Sequence, residues 1–104
     1  MNSFLIVGSV ANDPQMRQTA GGVNYLPLQV EVKRDFRNSS GRYDSEIFQV
    51  MLWKTMAEEY ADKIRKNSFV SVKGRLQANN YTRDGDTSYR ADLVGERLEC
   101  LDTL

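Results

Sequence analysis

FQVMLWKTMAEEYADKIRKNSFVSV, residues 48 to 72, changes its hydrophobic period twice. Phe48, Val50 and Leu52 alternate with Gln49, Met51 and Trp53, the two-residue repeat of a strand with one wet face. From Thr55 to Lys66 the apolar residues Met56, Ala57, Tyr60, Ala61 and Ile64 recur at three- and four-residue spacing, while Glu58, Glu59, Asp62, Lys63 and Arg65 face outward. That predicts one amphipathic helix, with Lys63, Arg65 and Lys66 complementing its C-terminal dipole and Asn67 as a left-handed cap. Val70 and Val72 then resume the alternation, so the stretch reads strand, helix, strand.

Working outward, residues 3 to 10, SFLIVGSV, are rich in strand formers and are closed by the turn residues Asn12, Asp13 and Pro14. From Tyr25 to Phe36, Leu26, Leu28, Val30 and Val32 oppose Gln29, Glu31 and Lys33, and Pro27 implies that this end lacks a partner on one side. Asn38 to Gly41, NSSG, is a turn that sets the strand through Phe48 in hairpin relation to the one before. Beyond the helix, Val70, Val72, Gly74 and Leu76 form an inward face that ends in a hairpin tipped by Arg83, Asp84, Gly85 and Asp86. Tyr89, Ala91 and Leu93 begin a fifth strand, continued by Leu98 and Cys100 after an irregularity near Gly95. Gly8 and Gly74 inside strand patterns imply sharp bends or close approach. The order β-β-β-α-β-β predicts an all-β, five-stranded OB-fold Greek-key barrel with one helix between its third and fourth strands.

The 104 residues fit a single domain spanning 1–104. No apolar run approaches the roughly 18 residues of a membrane span. The N-terminal stretch lacks a basic leader, so the expectation is a cytoplasmic protein with no membrane partner. Histidine is absent and Cys100 stands alone, which removes an intrachain disulfide, a Ser/His or Cys/His pair and a plausible zinc site. Cys100 reads as a buried, inert thiol. Glu58 with Glu59, and Asp84 with Asp86, lack neighbours that would split their pKa values, and no phosphate loop or nucleophile motif appears. No catalytic residue, metal or cofactor is expected.

Formal net charge is zero, yet the charge is divided. Residues 33 to 43 hold Lys33, Arg34, Arg37 and Arg42 against Asp35, whereas 92 to 104 hold Asp92, Glu96, Glu99 and Asp102 against Arg97. Lys54, Lys73, Arg75, Arg83 and Arg90 extend the basic set along strands and hairpins. Bases interleaved with wet-face aromatics suit a single-stranded nucleic acid, with cations along phosphates and platforms under bases. Lys33, Arg34, Lys73 and Arg75 lead the candidates for phosphate contact, followed by Arg37, Arg42, Lys54, Arg83 and Arg90. Trp53 lies in the polar phase of its strand, so it either stacks on a base or packs under the helix or a subunit interface. Phe36 shares the inward phase of Leu28 and Val32, but Arg34 breaks that phase and the flanking bases favour a base contact. Tyr81 lies between Asn80 and Thr82 with little core to join, either a stacking platform or merely an exposed tyrosine.

Three stretches carry a wider likeness: FLIVGSVANDPQMR at 4–17, FQVMLWKTMAE at 48–58 and FVSVKGRLQ at 69–77. In order and spacing they resemble the bacterial-type single-stranded-DNA-binding protein family across nearly the whole chain. The resemblance implies sequence-independent binding and protection of single-stranded DNA in replication, recombination, repair or DNA uptake, usually as a homotetramer. It also implies stacking at Phe36, Trp53 and Tyr81, while a fourth aromatic of the family matches Ile47 here. The QANN segment, 77–80, lacks bases that relatives often carry, which implies fewer phosphate contacts. The chain resembles either short members without an acidic C-terminal tail or a longer member trimmed to its core, so tail-mediated partners are not expected from this stretch. The alternative is a primosome-type or protein-interaction adaptor with weak nucleic-acid binding.

Overall fold

A computed structural model describes residues 1–101; Asp102, part of the acidic zone, lies outside the described residues. The strands are β1 (Phe4–Val10), β2 (Arg17–Gln18), β3 (Asn24–Arg37), β4 (Tyr43–Trp53), β5 (Phe69–Ala78), β6 (Tyr81–Arg83), β7 (Asp86–Ser88) and β8 (Ala91–Cys100). The helix α1 (Lys54–Tyr60) lies between β4 and β5. Sheet order is β1-β5-β8-β4-β3-β2, and β1 also pairs with β3, so β1, β3, β4, β5 and β8 close into a barrel. This is the expected five-stranded OB-type barrel with its helix between the third and fourth barrel strands.

Alternation builds the core. Leu26, Leu28 and Val30 of β3, Val50 and Leu52 of β4, and Val70 and Val72 of β5 are buried, joined by Val10, Ala57, Ile64 and Leu98. Closure requires backbones to approach where β1 and β5 bend. A Cβ on Gly8 would collide with the Glu31 carbonyl oxygen, and one on Gly74 with that of Val94, so both positions exclude any larger residue. The irregularity expected near Gly95 is a bulge: Lys73 pairs with Arg97 and Gly74 with Gly95, leaving Glu96 unpaired in the ladder.

Five expectations need correction. The helix is α1 only, so Asp62, Lys63, Arg65 and Lys66 follow it, and its last turn carries no base. Asn67 does have positive φ, 76°, but it terminates the segment after the helix, where its N–H donates to the Val10 carbonyl at 2.7 Å. Leu76 is exposed, because beyond the bulge at Gly74 the strand runs past the end of the core. Tyr89 lies outside β8 and is exposed, and Cys100 is only half-buried against the core. Among the described residues no helix is long and apolar enough to cross a membrane.

One pairing positions everything that follows. β4 and β8 run parallel through Val50 opposite Leu93 and Met51 opposite Val94. Their N-terminal ends therefore point the same way. The β3–β4 hairpin and the β6–β7 hairpin that precedes β8 leave the barrel from one end, and α1 starts from the other.

Candidate functional site

The β3–β4 hairpin is a long arm with two faces. From Tyr25 opposite Trp53 to Lys33 opposite Ser45 the register is continuous. Odd-numbered residues face outward here, since their even neighbours line the core. Between the Lys33–Ser45 and Arg37–Tyr43 pairs the register shifts, so that Arg34, Asp35 and Phe36 stand against Asp44 alone. Asn38 organises the tip: its Oδ1 accepts the N–H groups of Ser40 (2.9 Å) and Arg42 (3.1 Å), and its Nδ2 donates to Asp44 at 2.8 Å. Gly41 supplies the left-handed residue, φ 78°, that the turn needs.

Phe36 continues the inward phase of β3 but lies beyond the barrel, where it is 65% exposed. The Arg34 guanidinium sits over its ring, 4.8 Å from the centroid. Arg34 also lies 3.8 Å from Glu46 and 4.0 Å from Asp44. Arg34, Phe36 and Glu46 border a cleft of about 380 Å³ with Val32 and Phe48. On the outward face Tyr43 is exposed, with Lys33 Nζ 5.2 Å and the Arg37 guanidinium 5.4 Å from its ring centroid. Arg42 is exposed at the turn. Ile47, also outward, is 58% exposed.

Trp53 occupies the far end of the same arm. It is half-buried, in the outward phase its sequence position implies, and its ring packs on Tyr25 with centroids 5.2 Å apart and planes tilted by 36°. Arg17 is the register partner of Tyr25, and both border a cleft of about 380 Å³ with Asn12, Pro27, Gln49 and Met51. Phe36 lies eleven positions beyond Tyr25 on β3, roughly 35 Å of strand. Trp53 and Phe36 therefore do not form one pocket; they mark opposite ends and opposite faces of the arm. Lys54 follows Trp53, exposed and in the left-handed region at φ 56°.

The second arm carries Tyr81, 52% exposed, with the Arg90 guanidinium 5.8 Å from its ring centroid. Arg83 stands at its tip, 3.9 Å from Asp84. On the barrel wall Lys73 lies between its register partners Leu5 and Arg97, and Arg75 lies 3.7 Å from Glu96. Among the described residues no group of three or more His, Cys, Asp or Glu side chains is placed to hold a metal ion.

Tyr25, Tyr43 and Arg17 were not singled out from the sequence. Tyr25 and Tyr43 do fall in the outward phase, which was the available signal. Counting register from the turn fails, however, because the bulge inserts two residues into β3: the Arg37–Tyr43 pair extrapolates Tyr25 to position 55 rather than to Trp53.

The family model described as "Single-strand binding protein family" matches residues 1–101. The chain is 33% identical over 104 residues to single-stranded DNA-binding protein 3 of Listeria innocua, covering 99% of this chain and 65% of that protein. It is 31% identical over 103 residues to single-stranded DNA-binding protein 2 of Staphylococcus aureus, covering 98% of this chain and 73% of that protein. The crystal structure of the wild-type single-stranded DNA binding protein from Thermus aquaticus superposes with a TM-score of 0.81 at 27% identity, over 98% of this chain and 50% of that one. The chain thus spans less than two thirds of several of the relatives it matches.

Proposed function

This chain belongs to the single-strand binding protein family, and on that premise we propose that it binds single-stranded DNA without reading its sequence, as a homotetramer, by binding rather than catalysis. The observation that carries this reading is the pairing of exposed rings with cations on arms that share one end of the barrel: Phe36 with Arg34, Tyr43 with Lys33 and Arg37, and Tyr81 with Arg90. Every base has a π-face, so rings of this kind hold bases indifferently, and cations beside them meet the phosphates that follow. Trp53, backed by Tyr25 and followed by Lys54, continues the path along the outer face of the β3–β4 arm, with Arg17 on the far side of Tyr25. Arg42 and Arg83 extend it at the hairpin tips, and Lys73 and Arg75 along the barrel wall. Protection of exposed strands in replication, recombination, repair or DNA uptake follows from coating alone.

Assembly has its own support. β1 pairs with β5 from Phe4 to Ser9 but with β3 only at Ser9 and Val10. Its opposite edge from Phe4 to Val7 is therefore open to another strand, and the side chains beside it, Leu5 (66% exposed) and Val7, are apolar. A second copy satisfies both the ladder and the apolar surface.

Titration with poly-dT tests the reading. Trp53 is the sole tryptophan, so saturation is expected to quench its fluorescence, and affinity is expected to fall by about 0.7 log unit per phosphate contact for each decade of salt. Unquenched fluorescence at saturation removes Trp53 from the path. Binding weaker than micromolar beside a stable hetero-complex would instead favour a protein-interaction adaptor.

A further inference from the structure

Arg34 is the most constrained cation of the β3–β4 arm. The bulge sets Arg34 and Phe36 beside Asp44, and Glu46 follows on the same face. Arg34 lies on the Phe36 ring at 4.8 Å while its Nε and Nη1 point at Glu46 and Asp44, 3.8 and 4.0 Å away. Asp44 is itself held, since Asn38, whose Oδ1 caps the turn, donates to it at 2.8 Å. One guanidinium thus covers an exposed aromatic face while two carboxylates neutralise it.

We propose that Asp44 and Glu46 are positioning residues that clamp Arg34 over Phe36 and so tune the strength of single-strand binding on this arm. This rests on the DNA-binding reading above and sharpens it. A base and the guanidinium compete for one face of Phe36. A phosphate and the two carboxylates compete for one guanidinium. Binding must break the clamp, and an Arg34 already neutralised releases few counterions when a phosphate replaces its acids. Arg34 is then a cover that a bound strand displaces, unlike Lys33 and Arg37, whose partner in the structure is the neutral ring of Tyr43.

The test titrates a dT oligomer at several salt concentrations against wild type and the Asp44→Asn/Glu46→Gln double variant, each also in an Arg34→Met background. Neutralising the carboxylates is expected to tighten binding by about 1.5- to fivefold for each exposed ion pair removed, and to steepen the salt slope by about 0.7 as Arg34 becomes a free contact. Both changes are expected to vanish with Arg34→Met. Tightening of equal size without Arg34 overturns the clamp in favour of a general charge effect, and unchanged affinity overturns it outright. A readout without DNA runs alongside: the Arg34 side-chain Nε–H resonance, shifted by the Phe36 ring current in wild type, is expected to move toward its unstacked position in the double variant. A stationary resonance counts against the clamp. A wild-type chain that does not bind at all overturns the DNA-binding reading, whereas a wild type that binds while its variants match it overturns only the clamp.

Discussion

The Tyr60 hydroxyl donates to the Leu98 carbonyl at 3.0 Å, tying the end of α1 to β8. Burial raises the phenol above its ordinary pKa, and Glu59 adds to the shift. The hydrogen bond needs the proton, so the fold prefers the neutral phenol. An unfolded chain ionises near pH 10. Above that the unfolded state binds fewer protons than the native state, so stability declines as pH rises through the raised folded value, while below pH 10 the contribution is complete. Urea melts at pH 7, 9, 10.5 and 11 are expected to show this loss. Tyr60→Phe is expected to cost about 1 kcal/mol at pH 7 and to flatten the alkaline decline; an undiminished decline in the variant would place the titrating group elsewhere. The sequence showed Tyr60 as one apolar member of a helical stripe, but its partner is 38 residues away, and no local pattern contains that.

Elements were legible where one period ran alone. Period two located β3, β4 and β5 and their inward residues, because a sheet closed around one core enforces alternation on every strand. It failed at the helix end. Ala61 and Ile64 continue the helical spacing, and their N–H groups still donate to the Ala57 (3.0 Å) and Tyr60 (3.1 Å) carbonyls. Yet the regular helix stops at Tyr60, and the N–H groups of Lys66 and Asn67 go to Asp13 (3.1 Å) and the Val10 carbonyl (2.7 Å). A seven-residue helix has too few internal bonds to resist such contacts. The β6–β7 hairpin shows the opposite case, a turn written in sequence. Arg83 pairs with Asp86 across a two-residue loop in which Asp84 and Gly85 both have positive φ, 53° and 82°. A Cβ at Gly85 meets nothing within 4 Å, so conformation alone demands glycine there. Among the described residues this hairpin ladders only with itself, and a lone hairpin is marginal in water. Gly85→Ala is therefore expected to loosen the arm by about 1 kcal/mol and to weaken dT binding through Tyr81, with the barrel's melting temperature unchanged. A thermal melt beside a titration checks this, and Gly85→Ala added to Tyr81→Ala should weaken binding further only by what Arg83 and Arg90 contribute from the same arm.

At the scale of the whole molecule, neutral charge and an incomplete strand edge have one explanation if copies of the chain assemble. Residues 33–46 of the β3–β4 arm carry Lys33, Arg34, Arg37 and Arg42 against Asp35, Asp44 and Glu46, the second arm balances Arg83 and Arg90 against Asp84 and Asp86, and Glu58 and Glu59 lie on α1. The surface that suits the proposed partner copy is the outer side of β1, where Leu5 and Val7 stand exposed. The sequence held both observations, an apolar Leu5 and Val7 in the phase opposite to Ile6 and a neutral sum. It could not show that β1 meets β3 only at Ser9 and Val10, because that follows from how Gly8 lets the strand bend across Glu31. Val7→Lys places a charge at the centre of this edge without entering the core, so the monomer barrel should keep its fold. Light scattering at micromolar concentration is expected to shift from the mass of the proposed tetramer toward that of the 11.9 kDa chain, with circular dichroism unchanged. Binding to a short dT oligomer that one subunit can hold should persist, while binding to poly-dT should weaken severalfold, since linked sites act at high effective concentration only when subunits stay joined. A variant that keeps the wild-type mass would move the interface away from β1, and one that loses short-oligomer binding as well would mean that the site itself is shared between copies.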